Sequence, residues 1–434
     1  MAKFNLLWLL LIVLFGFETK NSDVSKSFKS EHAITEDNDN IDRVFLESLM
    51  KKYPQYFDSI LLRRDELKVQ IIYTQINRDA ANNPSFKSFY FNVDPDKYFY
   101  PASTVKLPVA LLALQRLHEL RLPGLDKNSS MVTNKAYDGQ TWTLNDPGAH
   151  DGRPTIAQYV KRIFLVSDND AFNRLYEFLG QQYINERLHK MGYNDVRIVH
   201  RLQIPLTEDQ NRHTNPVSFY NPANRLLYSQ PMQFNQEPYY ASSDSVGKAY
   251  YNSSGQFIDH PMDFSKKNKI SLPDLTNILQ SVLFPSSVPE RRRFNLKDDD
   301  YKFVYQYMSQ FPPETKFPPY DSAHYWDAYG KLLYWGGEKG VLPKNIRIFN
   351  KEGDAYGFLH DISYFVDFDK HIEFMLSASI YCDRDQIEND DKYDYDSLGL
   401  PFFKNLGRVI YDFEIKRKRP HVPDLSRFRL KYDQ

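Results

Sequence analysis

The chain is almost without cysteine. Its single thiol, Cys382, leaves no intrachain disulfide to form, so cysteine usage gives no sign of an oxidising compartment. The 11 histidines are scattered and no His-Glu-x-x-His occurs, which argues against a bound metal; no cofactor is called for. Excess charge of either sign is also missing. Lys and Arg number 55 against 56 Asp and Glu, a formal net charge of −1, and no nucleic-acid motif is present, so no polyanion partner is implied and no nucleic acid is expected. No internal repeat is evident. Beyond the N-terminus, no apolar run is long enough to span a bilayer.

What remains is an ordinary globular composition with 41% hydrophobic and 26% charged residues over 434 positions, enough for one large domain or two with a substantial core. Aromatic residues are plentiful at 15%, and this surplus reads as core packing before it reads as a cleft lining.

Lys3 precedes an apolar run from Leu6 to Phe17, followed by Glu18 and Lys20. The run is too short for a membrane-spanning helix and suits the apolar part of a signal peptide. Gly16-Phe17-Glu18 is not a small-x-small cleavage site, so residues 1–17 read as a signal peptide or as an uncleaved N-terminal membrane anchor. No cysteine follows that could carry lipid. The expectation is an exported protein, periplasmic or in the cell envelope, acting as a monomer. Residues 18–42 are polar and read as a linker. Asp37, Asp39 and Asp42 lack the glycine and glutamate that a calcium loop needs. A single domain is assigned to 43–420, with 421–434 as a tail whose basic start, Lys416 to Arg419, reads as a solvated end.

Within the domain, Val44, Phe45, Leu46, Leu49, Met50 and Tyr53 recur at helical spacing. Lys68 to Ile76 alternates as a strand, with Ser88 to Val93 as its hairpin partner. Leu107 to Leu120 reads as a buried helix. Ile156 to Phe164 and Ala171 to Leu179 read as amphipathic helices, the second ended by Gly180. Residues 216–260 lose periodicity and read as an insertion or long surface loop. Its tyrosines (Tyr220, Tyr228, Tyr239, Tyr240, Tyr250, Tyr251) are taken as anchors of that loop rather than as a lid. Ile346–Phe349, Ile362–Phe368 and Ile372–Ile380 alternate as strands, with Asp369-Lys370 as a turn, and a helix closes the pattern at Leu398–Phe413. Strands at both ends and helices between them predict an α+β fold: an antiparallel sheet built from both ends of the domain, flanked by helices, with a mostly helical subdomain inserted.

Three short motifs stand at the junctions of these elements. Ser103 lies three residues before Lys106 at the head of the first buried helix, which puts hydroxyl and amine one turn apart on the same face. A serine becomes a nucleophile only when a base takes its proton, and a desolvated lysine can be that base. Ser167-Asp168-Asn169 lies at a loop-to-helix junction, where Ser167 reads as the N-cap with Asp170 at the third helical position. Lys351-Glu352-Gly353 ends a strand, with Gly353 where a close backbone approach would need it.

The order of the motifs and their context, Tyr100-Pro101-Ala102-Ser103-Thr104-Val105-Lys106 and Lys351-Glu352-Gly353-Asp354-Ala355-Tyr356-Gly357, resemble the class A β-lactamase group of the penicillin-recognising serine hydrolases. The first motif also resembles that of class D β-lactamases; the intact Ser-Asp-Asn triplet favours class A. The resemblance extends from about Lys68 to Phe413. It implies the β-lactamase/transpeptidase-like fold and a small-molecule amide or peptide-like substrate. Ser103 would be acylated, Lys106 would take its proton, and Ser167 would relay a proton to the leaving nitrogen. Lys351 would lower the pKa of Lys106, and Asn169 would hold Lys106 or a substrate amide. The N–H groups of Ser103 and Asp354 would form the oxyanion hole beside Gly353.

Two departures from the resemblance stand out. Gln203, in His200-Arg201-Leu202-Gln203, occupies the place of the deacylating glutamate; Glu208 is the nearest carboxylate that could replace it. Glu352 occupies a place where the family usually has Thr or Ser to help bind a substrate carboxylate. A glutamate there either repels that carboxylate or turns away to pair with a surface cation. The resemblance therefore leaves three functions in order: a β-lactamase-type hydrolase, a cell-wall peptidase or acyltransferase of the penicillin-binding type, and a non-catalytic binding protein.

Overall fold

The computed structural model describes residues 36–237, 239 and 243–433; residues 1–17, read as a signal peptide or anchor, and the linker up to 35 lie outside them, as does Tyr240. Five strands form one antiparallel sheet: β1 (Gln70–Arg78), β2 (Pro84–Phe91), β3 (Ile346–Ala355), β4 (Phe358–Asp367) and β5 (Ile372–Tyr381). Their order is β3-β4-β5-β1-β2. β1 pairs with β5, Tyr73 facing Leu376 and Ile72 facing Ser377, so the sheet is closed by segments from both ends of the domain, as the alternation predicts.

Because successive strand residues face opposite sides, the sheet separates two cores. Val69, Ile71, Tyr73, Phe374, Leu376 and Ile380 face one core; Ile72, Ile76, Ile362, Tyr364 and Met375 face the other. The first core is covered by α1 (Glu36–Met50), α2 (Pro54–Leu62) and, from the far end of the chain, Leu400–Lys416. The second is filled by α3 (Lys106–Leu120), α4 (Ile156–Val166), α5 (Asn169–Leu179) and α6 (Gln181–Lys190), with Leu272–Leu283 and Asp298–Ser309 behind the sheet. Helix α3 is buried on every side from Leu107 to Leu114. Each such Leu or Val contributes about 2 kcal/mol of burial, which makes α3 a rigid post for the residues at its head. Among the described residues no helix is long and apolar enough to cross a membrane.

Several boundaries differ from the sequence reading. Helix α1 begins at Glu36, inside the stretch read as linker, because Leu46, Leu49 and Met50 dock on the sheet and Asp42 pairs with Lys87 at 3.1 Å. The segment 421–434 is no loose tail. Leu425 and Phe428 are buried, Phe428 against Tyr305, Phe349 and Tyr364, and Asp433 pairs with Lys161 at 3.1 Å. Arg417 and Arg419, read as solvated, both bond the buried Glu414. The aperiodic 216–260 stretch is sewn into the body. Val217–Tyr220 pairs with Ser130–Thr133, and Ala249–Tyr251 pairs in parallel with Ile387–Glu388.

Candidate active site

Ser103 sits in a single 3-10 turn, Ala102–Val105, that runs into α3. Ala102 enters the turn with φ of 45°, a left-handed conformation held by its burial. Pro108 falls in the first turn of α3, where its missing N–H has no helical partner to lose. Lys106 opens α3 and is fully buried. Its Nζ lies 2.8 Å from Ser103 Oγ, 2.6 Å from Asn169 Oδ1 and 3.2 Å from Ser167 Oγ, and also bonds the Ser167 carbonyl.

Burial, and after it the positive charge of Lys351, pushes the Lys106 amine well below its ordinary value of 10.5. A neutral amine has two N–H groups and one lone pair. In that neutral form the two donors would serve Asn169 Oδ1 and the Ser167 carbonyl, and the lone pair would face the Ser103 hydroxyl 2.8 Å away.

The Ser-Asp-Asn junction differs from its sequence reading. Ser167 is the C-cap of α4, with a left-handed φ of 57°, and Asp168 is the N-cap of α5, its side chain accepting from Ala171 N. The Ser167 side chain is thus free of N-cap duty, and its hydroxyl accepts from Lys351 Nζ at 2.8 Å. Arg162 holds the junction from below, with Nη2 2.6 Å from Asp168 Oδ2.

Lys351 lies in β3 and is fully buried. Besides Ser167 Oγ, its Nζ donates to the Glu352 carbonyl at 2.9 Å and to Glu352 Oε1 at 2.8 Å. Glu352 therefore neither hangs in the open nor pairs with a surface cation. It is only 8% exposed and turns back onto its neighbour. Its carboxyl packs against Gly330, where an added Cβ would stand 3.2 Å from Oε2. Burial pushes the Glu352 pKa up, but the Lys351 ammonium outweighs it and holds the group ionised, below its usual range.

Gly353 answers the close approach anticipated for it. A Cβ there would lie 2.8 Å from Ser103 N and 2.9 Å from Thr104 N, so only glycine lets β3 lie against the serine turn. Asp354 follows on the cleft wall.

The cleft above these groups has a volume of about 910 Å³. Ser103, Asn169, Gln203, Glu208 and Asp354 all line it, while Lys106, Ser167 and Lys351 form the polar layer beneath. Gln203, with φ of 59°, accepts from Asn169 Nδ2 at 2.7 Å and so joins the Lys106 network at one remove. Glu208 begins a short helix, Glu208–Arg212, and its Oε2 lies 2.9 Å from Lys266 Nζ. Tyr239, Tyr250 and Tyr251 line the cleft, so part of the insertion taken as loop anchors is cleft wall.

Sequence reasoning missed the groups that hold the loop carrying Gln203. Glu177 of α5 accepts from Arg201 Nε at 2.5 Å and Nη2 at 2.8 Å, and from Asn215 N at 2.6 Å, all buried. Nothing in a helix stripe marks Glu177 as the inward residue it is. His200 lines the cleft with its ring parallel to that of Tyr100; burial lowers its pKa to about 4 and keeps it neutral.

Residues 57–413 match the model of the beta-lactamase enzyme family. No curated protein matches the chain. Solved structures similar to it include a class A β-lactamase from Clostridium kluyveri, 15% identical over 83% of this chain and 98% of that one, with a TM-score of 0.46. A β-lactamase from Xanthomonas campestris pv. campestris is 13% identical over 86% and 98%, with a TM-score of 0.44. One from Sphaerobacter thermophilus is 14% identical over 83% and 95%, also with a TM-score of 0.44.

Proposed function

Because the chain belongs to the beta-lactamase enzyme family, we propose that it is an exported serine hydrolase that opens an amide bond, of a β-lactam or a related acyl donor, through an acyl-enzyme on Ser103. The observation that carries this reading is the 2.8 Å contact between Ser103 Oγ and the buried amine of Lys106.

The geometry supports acylation by the following route. Neutral Lys106 takes the Ser103 proton as Oγ bonds the substrate carbonyl carbon. The developing oxyanion is received by the N–H groups of Ser103 and Asp354, brought close by the absence of a side chain at Gly353; each such donor is typically worth about 3 kcal/mol. The C–N bond then breaks as Ser167 passes a proton to the leaving nitrogen. The Ser167 hydroxyl is recharged from Lys106, 3.2 Å away, while the Lys351 ammonium at 2.8 Å stabilises the charge on its oxygen.

Hydrolysis of the ester needs a base for water, and Gln203 has no proton-accepting group of that strength. The acyl-enzyme is therefore long-lived. This favours, as a second reading, a peptidase or acyltransferase acting on cell-wall peptides, for which slow hydrolysis is no handicap.

Intact mass after exposure to a fluorophosphonate and to a fluorescent penicillin tests the reading. The expected result is one persistent adduct on Ser103. Rapid turnover of a chromogenic cephalosporin would point to a working base for water, Glu208 or another. No labelling of a folded sample by any acyl donor overturns the enzyme reading and leaves a binding protein on the same scaffold.

A further inference from the structure

Lys351 has three N–H donors and three short partners: Ser167 Oγ at 2.8 Å, the Glu352 carbonyl at 2.9 Å and Glu352 Oε1 at 2.8 Å. None is left for a ligand. The ammonium is also neutralised in place, because the Glu352 carboxylate is buried against it and packed on Gly330. The next residue to reach the cleft wall along β3, Asp354, adds a second acidic side chain, whose pKa is raised by burial and then by the Glu352 charge.

The remaining cations of the cleft lie elsewhere. Arg201 is committed to Glu177, and Lys266 pairs with Glu208. Arg212 donates to the carbonyls of Asn235 and Gln236, and Lys267 stands over the Tyr356 ring. Beside Ser103 the β3 edge thus presents an ion pair closed on itself, Lys351 with Glu352, followed by the acidic side chain of Asp354, and offers no ammonium with a free N–H.

We propose that Glu352 sets the substrate class: the acyl donor carries no carboxylate next to its scissile bond, and is uncharged or cationic at that point. This rests on the serine-hydrolase reading and narrows it. Where the family's Thr or Ser would offer a hydroxyl to an anion, Glu352 offers an acceptor-only carboxylate and withdraws the nearby ammonium from the ligand. Like charges brought together in a cleft cost enough to change a rate by about tenfold or more.

The test uses the full chain with three matched probes: benzylpenicillin, its methyl ester and its aminoethyl amide. Second-order acylation rates are read by quench and intact mass, each divided by the probe's own uncatalysed hydrolysis rate. The ester and the amide should exceed the free acid by about tenfold or more, and Glu352→Thr should shrink that ratio of ester to acid, whatever it does to the absolute rates. A free acid that acylates wild-type protein as fast as its ester overturns the inference, whether or not the variant folds. So does failure of all three probes when a fluorophosphonate still labels Ser103. Failure of the fluorophosphonate as well overturns the hydrolase reading itself, which separates the two.

Discussion

Lys351 and Ser167 stand 184 residues apart in sequence, and the amine of one lies 2.8 Å from the hydroxyl of the other. Through Ser167 the third motif touches the second, and through Lys106 the second touches the first. A single layer of hydrogen bonds under the cleft therefore joins β3, the α4–α5 junction and the head of α3.

The pH dependence of this layer has a definite sign. Unfolded, the Lys106 amine keeps its proton up to about 10.5; folded, it gives it up at a pH well below that. Between those points the unfolded chain binds more protons, so stability contributed by this group rises with pH and levels off above 10.5. Urea unfolding of wild type and Lys106→Met across neutral to alkaline pH should show the wild type gaining on the variant as pH rises. The acylation rate of the wild type should climb through the same deprotonation, and Lys106→Ala should lower it by at least about a hundredfold.

Gln203→Glu should turn a persistent adduct into a transient one. Its carboxylate can still accept from Asn169 Nδ2, so the loop need not move, and it supplies the proton acceptor that glutamine lacks. The decay of the Ser103 adduct, followed by intact mass, should quicken by about a hundredfold, the lower range for a placed general base. An unchanged lifetime would mean that water does not reach this side of the ester.

Gly353→Ala should separate β3 from the serine turn. Its Cβ would meet two backbone nitrogens, which cannot swing aside as a side-chain tip can. A loss of about 1–3 kcal/mol in denaturant unfolding, together with loss of Ser103 labelling, is expected. Full stability and labelling would show that the turn yields freely.

Much of this was legible in the sequence, for identifiable reasons. Alternation marked β1, β4 and β5, and the fold class followed; β2, expected at Ser88–Val93, runs over Pro84–Phe91, and β3, expected at Ile346–Phe349, continues to Ala355 because its later residues lie against the serine turn. Capping chemistry was less readable. In Ser167-Asp168-Asn169 every residue is a good N-cap, and only the left-handed φ of Ser167 assigns that duty to Asp168. The first turns of α1, Glu-Asp-Asn-Asp-Asn, carry no apolar period, so a helix docked by its later residues looked like linker. Leu425 and Phe428 are two isolated apolar residues with no pattern to announce their burial. The turn of Glu352 onto its own neighbour was invisible, since it depends on the space at Gly330, which comes from a stretch without periodicity.

The pairing of β1 with β5 has a consequence for biogenesis. β1 can pair at once with β2, but its other edge must wait for β5, made near the end of the domain. During that interval Ile71, Ile72 and Tyr73 expose an unpaired apolar edge on the nascent chain, the kind of surface that aggregates or recruits a chaperone. Loop closure over so much polypeptide also makes for slow folding. The ladder, and with it the β3 wall of the cleft, forms only after most of the domain has left the ribosome.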